Sequence, residues 1–222
     1  MGKTIAIIPA RAGSKRLPIK NIKMLNGIPL IAHSIKYSLS NSKLIDDIYV
    51  STDSDTIKEI ALQFGAKVIN RPAELSGDLE PTVSALKHVL TVLNEDIDTI
   101  VILQATNPLR PKDLLSEALN AFIKNNSESL FTVSRDHKKL GKIVSNHFKP
   151  YNYKIGQRSQ DLEPLYYENG LLYITKARLI KKDIIFNDAS FPWVVNHKFA
   201  SIDIDTQEDF DYAEYILKNY NE

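Results

Sequence analysis

Short β-branched runs alternate with segments whose apolar residues repeat at helical spacing through the first two thirds of this chain. Residues 4–8 form the first run. Ile28, Ile31, Ala32, Ile35 and Leu39 follow at helical period, then a strand-like run at 48–51. Ile57, Ile60, Ala61 and Phe64 mark a second helix that Gly65 can stop, and 67–69 is a third strand. Pro81 opens a helix carrying Val83, Leu86, Val89, Leu90 and Leu93. The most apolar strand is 99–104, then a helix lined by Leu114, Leu115, Ala118, Leu119, Phe122 and Ile123, then a strand at 130–133. This rhythm predicts an α/β fold, with a mostly parallel sheet covered on both faces.

The rhythm weakens over 134–199, where short apolar runs at 142–144 and 171–175 lie among polar and aromatic loops. That stretch reads as a small insertion leaving the sheet, a candidate dimerisation lobe whose core would hold Phe191 and Trp193. Regularity returns with a strand at 200–204 and a last helix capped by Thr206, with Asp209 at capping-box distance and Phe210, Ala213, Leu217 and Tyr220 on its inner face. At 222 residues the chain suits one domain spanning 1–222.

Composition narrows the function. With 43% hydrophobic and 25% charged residues it is an ordinary globular sequence. A net charge of +1 gives no global field for nucleic acid, so any acidic ligand must meet local clusters of Lys and Arg. The absence of cysteine excludes disulfides, thiolate metal sites and a thiol nucleophile, and fits a cytoplasmic location. No run approaches the roughly 18 apolar residues of a membrane span, and the apolar start, broken by Pro9, is too short for a signal peptide.

The strongest chemical signal follows the first strand. Arg11, Lys15, Arg16 and Lys20 lie within ten residues, around Gly13 and Ser14. Open parallel sheets bind ligands at the carboxyl ends of their strands, and a glycine-containing loop there can offer backbone N–H groups to phosphate. A solvated basic loop is the alternative. The loop is neither a Walker A nor a dinucleotide fingerprint. The second signal is Asp203 and Asp205. On a strand they share a face, roughly 6–7 Å apart, and beside phosphates such a pair suits Mg²⁺. They could equally form the outer face of an edge strand. The third is Tyr166-Tyr167-Glu168-Asn169-Gly170. Asn-Gly reads first as a hairpin turn, and second as a means of placing Glu168 and Asn169 over a sugar. Residues 157–161 are donor-rich and could meet a carboxylate. His33 and His88 fall in helical segments and read as structural.

These motifs together resemble the CMP-sialic acid synthetases (acylneuraminate cytidylyltransferases), nearly end to end. The similarity is carried by Ile8-Pro9-Ala10-Arg11-Ala12-Gly13-Ser14-Lys15-Arg16-Leu17-Pro18-Ile19-Lys20-Asn21, by Val50-Ser51-Thr52-Asp53, and by Arg71-Pro72-Ala73-Glu74-Leu75. It continues through Leu103-Gln104-Ala105-Thr106-Asn107-Pro108-Leu109-Arg110, Tyr167-Glu168-Asn169-Gly170 and Ser201-Ile202-Asp203-Ile204-Asp205. The resemblance implies a three-layer Rossmann-like sheet of the nucleotide-diphospho-sugar transferase type, and a Mg²⁺-dependent homodimer that uses CTP to activate a nine-carbon acidic sugar. It implies that Arg11, Ala12, Gly13, Ser14, Lys15 and Lys20 hold the triphosphate and that Asn21, Arg71 and Thr82 surround the cytidine. Gln104, Gln160, Asp161, Tyr167, Glu168 and Asn169 would meet the sugar, and Asp203 and Asp205 the metal. Arg11, Lys20 and Arg158 would act on the reacting groups.

Departures from the family pattern are Ser159, where a second arginine is common, Ala105 in place of Pro and Asn107 in place of Ser. Enzymes that activate the eight-carbon acid Kdo usually carry Gly where Ile19 stands, which favours nonulosonic acids. The 103–110 stretch looks more like sialic and legionaminic members than pseudaminic ones. The alternatives are a Kdo or other sugar cytidylyltransferase, a terpenoid-precursor cytidylyltransferase, and a non-catalytic nucleotide-binding regulator.

Overall fold

A computed structural model of the chain describes residues 2–220. Its strands and helices, in chain order, are β1 Lys3–Pro9, β2 Met24–Leu25, β3 Ile28–Pro29, α1 Leu30–Ser40, β4 Asp47–Thr52, α2 Asp55–Gln63, β5 Lys67–Asn70, α3 Thr82–Leu93 and β6 Ile97–Ile102. There follow α4 Leu114–Lys124, β7 Ser129–Asp136, β8 Gly141–Val144, β9 His147–Pro150, β10 Leu165–Lys176, α5 Ala177–Ile180, β11 Phe191–Val194 and α6 Gln207–Asn219.

Seven strands form one sheet in the order β11-β7-β10-β6-β1-β4-β5. All pairings are parallel except those of β10, which runs antiparallel to both β6 and β7. Alternation along β1 divides the core. Ala6 and Ile8 pack with Ile31 and Ile35 of α1, Ile57 of α2 and Leu115, Ala118 and Phe122 of α4. Ile5 and Ile7 point the other way, onto Val83, Leu86 and Val89 of α3 and Ile180 of α5. The expected two-faced sheet follows from this period-two division. A third cluster seats Phe210, Ala213 and Ile216 of α6 against Leu17, Leu25, Ile202 and Ile204. No helix among the described residues is long and apolar enough to cross a membrane.

Three expectations are corrected. The stretch 134–199 does not leave the sheet as a unit, because β10 sits between β6 and β7, and β11 pairs with β7. Within that stretch, the β8–β9 hairpin alone forms a sheet apart from the main one. Phe191 and Trp193 accordingly pack on the main core rather than within a lobe. Asn169-Gly170 is no hairpin turn but an irregularity inside β10, where register with β7 shifts between Glu168 and Tyr173. Thr132 fills the gap by donating to Asn169 Oδ1 (2.6 Å) and accepting from Leu172 N (3.1 Å). Gly170 has φ +72°, and a Cβ there would lie 2.8 Å from Asn107 Oδ1, so both backbone and space require glycine. Finally, 200–204 is not a strand. Lys198–Ser201 is a 3-10 turn, and the following segment runs on without a strand partner, held by Ile204 N donating to Thr106 O (2.8 Å). Burial still alternates there, with Ile202 and Ile204 inside and Asp203 exposed.

Candidate active site

The sheet order fixes where a ligand can sit. From β1 the chain moves outward through β4 to β5, then returns to lay β6 on the other side of β1. This reversal opens a crevice at the carboxyl ends of β1 and β6, the place where open α/β sheets bind ligands. A cleft of about 500 Å³ lies there. Its walls include Arg11, Gly13, Ser14, Lys15, Arg16, Lys20 and Asn21 from the loop after β1, Arg71 after β5, Thr82 at the start of α3, Gln104 after β6, and Asp205.

The loop after β1 is held from several sides. Asp53, just past β4, accepts the Ala12 N–H at 2.9 Å, and Asn21 Nδ2 donates to Arg11 O at 2.9 Å. Ile19 occupies the left-handed region at φ 52°, an uncommon conformation for a β-branched residue. The 3-10 turn that follows carries Lys20 and Asn21 inward, and both are buried. Lys20 Nζ donates to Asp205 Oδ1 and to Ile204 O, each at 2.8 Å. Arg16 Nη2 meets Asp205 Oδ2 at 2.5 Å. On the opposite lip, Asp78 pairs with Arg11 at 2.9 Å and with Lys15. The Lys15 hydrogen bond is the main influence holding the Asp78 carboxyl below its ordinary range, against partial desolvation.

Arg71 is buried, and its Nε and Nη2 have no hydrogen-bond partner among the described residues. Burial lowers its guanidinium from the ordinary value, while Asp53 acts in the opposite sense. A buried donor without a partner is costly, so two such donors at a cleft wall mark a place for an acceptor-bearing ligand. Asp203 and Asp205 lie beside each other in sequence and charge. Desolvation pushes the Asp203 carboxyl above the usual range, the Thr106 hydroxyl opposes the rise, and the Asp205 charge adds to it. The residue as a whole keeps contact with solvent while its carboxyl is partly desolvated. No group of three or more His, Asp or Glu among the described residues is arranged to hold a metal. Asp205 lines the cleft and Asp203, two residues before it, does not; carboxylate oxygens of this kind fit Mg²⁺, which commonly takes few protein ligands and completes its shell with phosphate oxygens and water.

Ala12 turns away from this cleft and its N–H is taken by Asp53. The residues expected to meet a sugar assemble less completely. Gln104 Nε2 donates to Tyr173 Oη at 3.3 Å, and Tyr173 donates to Glu168. Burial raises the Tyr173 phenol well above its ordinary value, and Glu168 adds to the rise. Tyr167 is exposed on β10. The sugar-contacting role expected of Asn169 is corrected. Its side chain is buried, its Nδ2 donates to Ser134 Oγ at 2.9 Å, and its Oδ1 is taken by Thr132, so it fixes the β10 irregularity. Arg158, Gln160 and Asp161 do not line the cleft. They lie on and beside an exposed 3-10 turn, where Arg158 forks onto Asp161 at 2.8 and 3.0 Å.

Sequence reasoning missed four positioning side chains. Asp78 carries no local signal. Asp53, Asn107 and Arg110 stand in recognisable motifs but show their roles only in three dimensions. Asn107 Nδ2 joins Asn169 O (3.1 Å) to Ile202 O (3.0 Å), giving this departure from the family pattern a definite task. Arg110 is buried and ties Leu171 O, Ser34 Oγ and Gln104 O together. Desolvation pushes its guanidinium down to about 10.

A crevice at the strand ends, lined by Arg11, Lys15, Arg16 and Lys20, by Arg71 with two unpartnered buried donors and by the Asp205 carboxylate, marks an open-sheet α/β protein with a cationic ligand cleft. The chain belongs to the cytidylyltransferase family, whose model matches residues 5–221. It is 37% identical over 216 residues to the N-acylneuraminate cytidylyltransferase of Streptococcus agalactiae serotype III (strain NEM316), covering 94% of this chain but 52% of that protein. The chain thus spans about half the length of that relative. It is 36% identical over 228 residues to the pseudaminic acid cytidylyltransferase of Campylobacter jejuni serotype O:23/36 (strain 81-176), covering 97% of both. The near-equal identities give no support to the preference for sialic over pseudaminic relatives read from 103–110. Among solved structures, CMP:2-keto-3-deoxy-manno-octonic acid synthetase complexed with CTP superposes with a TM-score of 0.71, covering 97% of this chain and 98% of that one at 16% identity. That likeness establishes the fold.

Proposed function

We propose that this chain transfers CMP from CTP to the anomeric hydroxyl of a nonulosonic acid, releasing pyrophosphate. The observation that carries the reading is the cleft itself, with four loop cations on one wall and the buried, unpartnered Arg71 donors on another. Family membership adds the cytidylyl chemistry, and the names of the relatives add the acceptor class.

In this reading the anomeric oxygen attacks the α-phosphorus and its hydroxyl proton passes to solvent water. The bond from the α-phosphorus to the bridging oxygen breaks, and pyrophosphate leaves with that electron pair. Such transfers are catalysed mostly by positioning and charge stabilisation. Arg11, Lys15, Arg16 and Lys20 neutralise the phosphates, with Gly13 and Ser14 offering loop atoms to them. Asn21, Arg71 and Thr82 hold the base and ribose, where the Arg71 donors suit a pyrimidine carbonyl. Gln104, fixed by Tyr173 and Glu168, faces the acceptor. Asp203 and Asp205 would hold Mg²⁺, which when bound supplies positive charge to the phosphate oxygens. Asp205, which accepts from Arg16 and Lys20, would be shared between these cations and the ion.

Arg158, Gln160 and Asp161 stand outside the cleft of their own chain, and the reading has a second copy present them to the sugar in a homodimer. The β8–β9 hairpin supports this with apolar side chains turned outward, Ile143 at 79% and Phe148 at 55% exposure. A cytoplasmic location follows from the need for CTP.

The test is pyrophosphate release from CTP, UTP, ATP or GTP with Mg²⁺ and a panel of sialic, legionaminic and pseudaminic acids and Kdo. CTP with a nonulosonic acid is expected to lead. Equal turnover with UTP defeats the base assignment, and preference for Kdo defeats the acceptor assignment.

A further inference from the structure

The four loop cations are already neutralised within the chain, and two carboxylates share the work. Asp205 takes Arg16 and Lys20, while Asp78 takes Arg11 and Lys15. Asp205 is set at a fixed place, because its segment is anchored by Ile204 N to Thr106 and by the cap of α6. Asp78 is differently placed. It lies between the 3-10 turn Ala73–Leu75 and α3, in a segment where residues 77–82 are all exposed and Leu79 is 97% exposed. Few apolar contacts can hold such a segment down. What binds it to the opposite wall is polar: the Asp78 carboxylate on Arg11 and Lys15, and Ser76 O accepting from Arg11 Nη1 at 3.4 Å.

A carboxylate and a phosphate compete for the same donors. Arg11 Nη1 is committed to Asp78 and Ser76, so a phosphate can claim it only by displacing them. Partly exposed ion pairs are individually weak, which makes the displacement feasible. Asp78 weakens every anion that needs Arg11 and Lys15, but the consequences differ. CTP has a base and ribose with which to recover the loss. Pyrophosphate has nothing else.

We propose that Asp78 is a resident competitor for the phosphate site, which pairs with Arg11 and Lys15, gives way to the incoming triphosphate and returns to hasten pyrophosphate departure. This rests on the reading of Arg11 and Lys15 as phosphate ligands. The return of the carboxylate restores its ion pairs with Arg11 and Lys15, so each turnover ends with these two cations masked.

The experiment is calorimetric titration of the full chain with inorganic tripolyphosphate, without CTP, for the unaltered protein, Asp78→Asn and Glu80→Gln. Glu80 lines the same cleft and controls for simple loss of a negative charge. Asp78→Asn is expected to bind tripolyphosphate about three- to tenfold more tightly, as two partly exposed ion pairs are relieved. Pyrophosphate should inhibit its turnover at correspondingly lower concentration, with Glu80→Gln shifting either value by less than about twofold. Unchanged or weaker binding by Asp78→Asn overturns the proposal, as does an equal tightening by Glu80→Gln. Absence of binding by all three proteins removes the phosphate site itself, and the competitor with it.

Discussion

The two sides of the cleft are built in opposite ways. The side proposed to hold the nucleotide, formed by the loop after β1 and the ends of β4 and β5, is internally connected: cations meet carboxylates, and Asp53 and Asn21 brace the loop. The acceptor side is divided. Gln104 lines the cleft and is tied to Tyr173 and through it to Glu168, whereas Arg158, Gln160 and Asp161 lie on and beside an exposed turn that follows a hairpin with outward apolar groups. A polyphosphate can be gripped by one stretch of loop, because its charges are close together. A sugar with a carboxylate and substituents on several carbons needs contacts from several directions, and a second copy is an economical source of them.

The comparison breaks most severely at Asp205. Asp205→Asn keeps the side-chain size but removes the charge proposed to hold Mg²⁺. Turnover is expected to fall by roughly 3 kcal/mol of transition-state stabilisation, about two orders of magnitude. Asp209 is the control. It accepts from Asp205 N, Thr206 N and Thr206 Oγ1, which completes the capping box of α6. Asp209→Asn should cost about 1 kcal/mol of stability and little turnover. Near-full Mg²⁺-dependent activity in a folded Asp205→Asn protein would show that the carboxylate pair is structural.

The dimer reading comes next. Replacing Ile143 and Phe148 together by Asp should yield a monomer in analytical ultracentrifugation and raise the acceptor KM at least about tenfold, since few interface side chains carry most of the energy. CTP binding should stay unchanged. A fully active monomer would place the acceptor site within one chain. Arg158→Ala sharpens the same division on a smaller scale. Its acceptor KM should rise several-fold with the KM for CTP unmoved, and equal changes in both would detach Arg158 from the sugar.

Much of the fold was legible because period-two and period-3.6 patterns map directly onto strands and helices, as residues 4–8 and the face of α4 show. Tertiary context decided the rest. Asn169-Gly170 has the composition of a hairpin turn, yet Thr132 and Asn107 absorb it into a continuous β10. The Ser201–Asp205 motif alternates like a strand, but no strand lies alongside to complete a ladder. In the site, the cation cluster after β1 was readable because its members are neighbours in sequence. Asp78 was not, because its pairing with Arg11 spans the whole of β4, α2 and β5.

Asp203 provides the smallest expected effect and the one with opposed signs. Its carboxyl is raised by desolvation and by the charge of Asp205. The folded protein therefore binds this proton more tightly than the unfolded chain, where aspartate titrates near about 3.9. Stability linked to the group is complete below that value and declines as pH rises through the folded-state value. At neutral pH the ionised carboxylate thus burdens the metal-free protein, though only slightly, because the residue is exposed. Asp203→Asn should raise the Tm of the metal-free protein a little at pH 7, and the advantage over the unaltered protein should shrink toward pH 4. Turnover should fall, because the same crowding of negative charge is what a cation would relieve. Adding Mg²⁺ with a non-hydrolysable CTP analogue should then stabilise the unaltered protein more than the variant, by binding linkage. A variant that is less stable than the unaltered protein at pH 7 and equally stabilised by Mg²⁺ would make Asp203 an ordinary surface carboxylate and leave Asp205 alone as the metal's protein ligand.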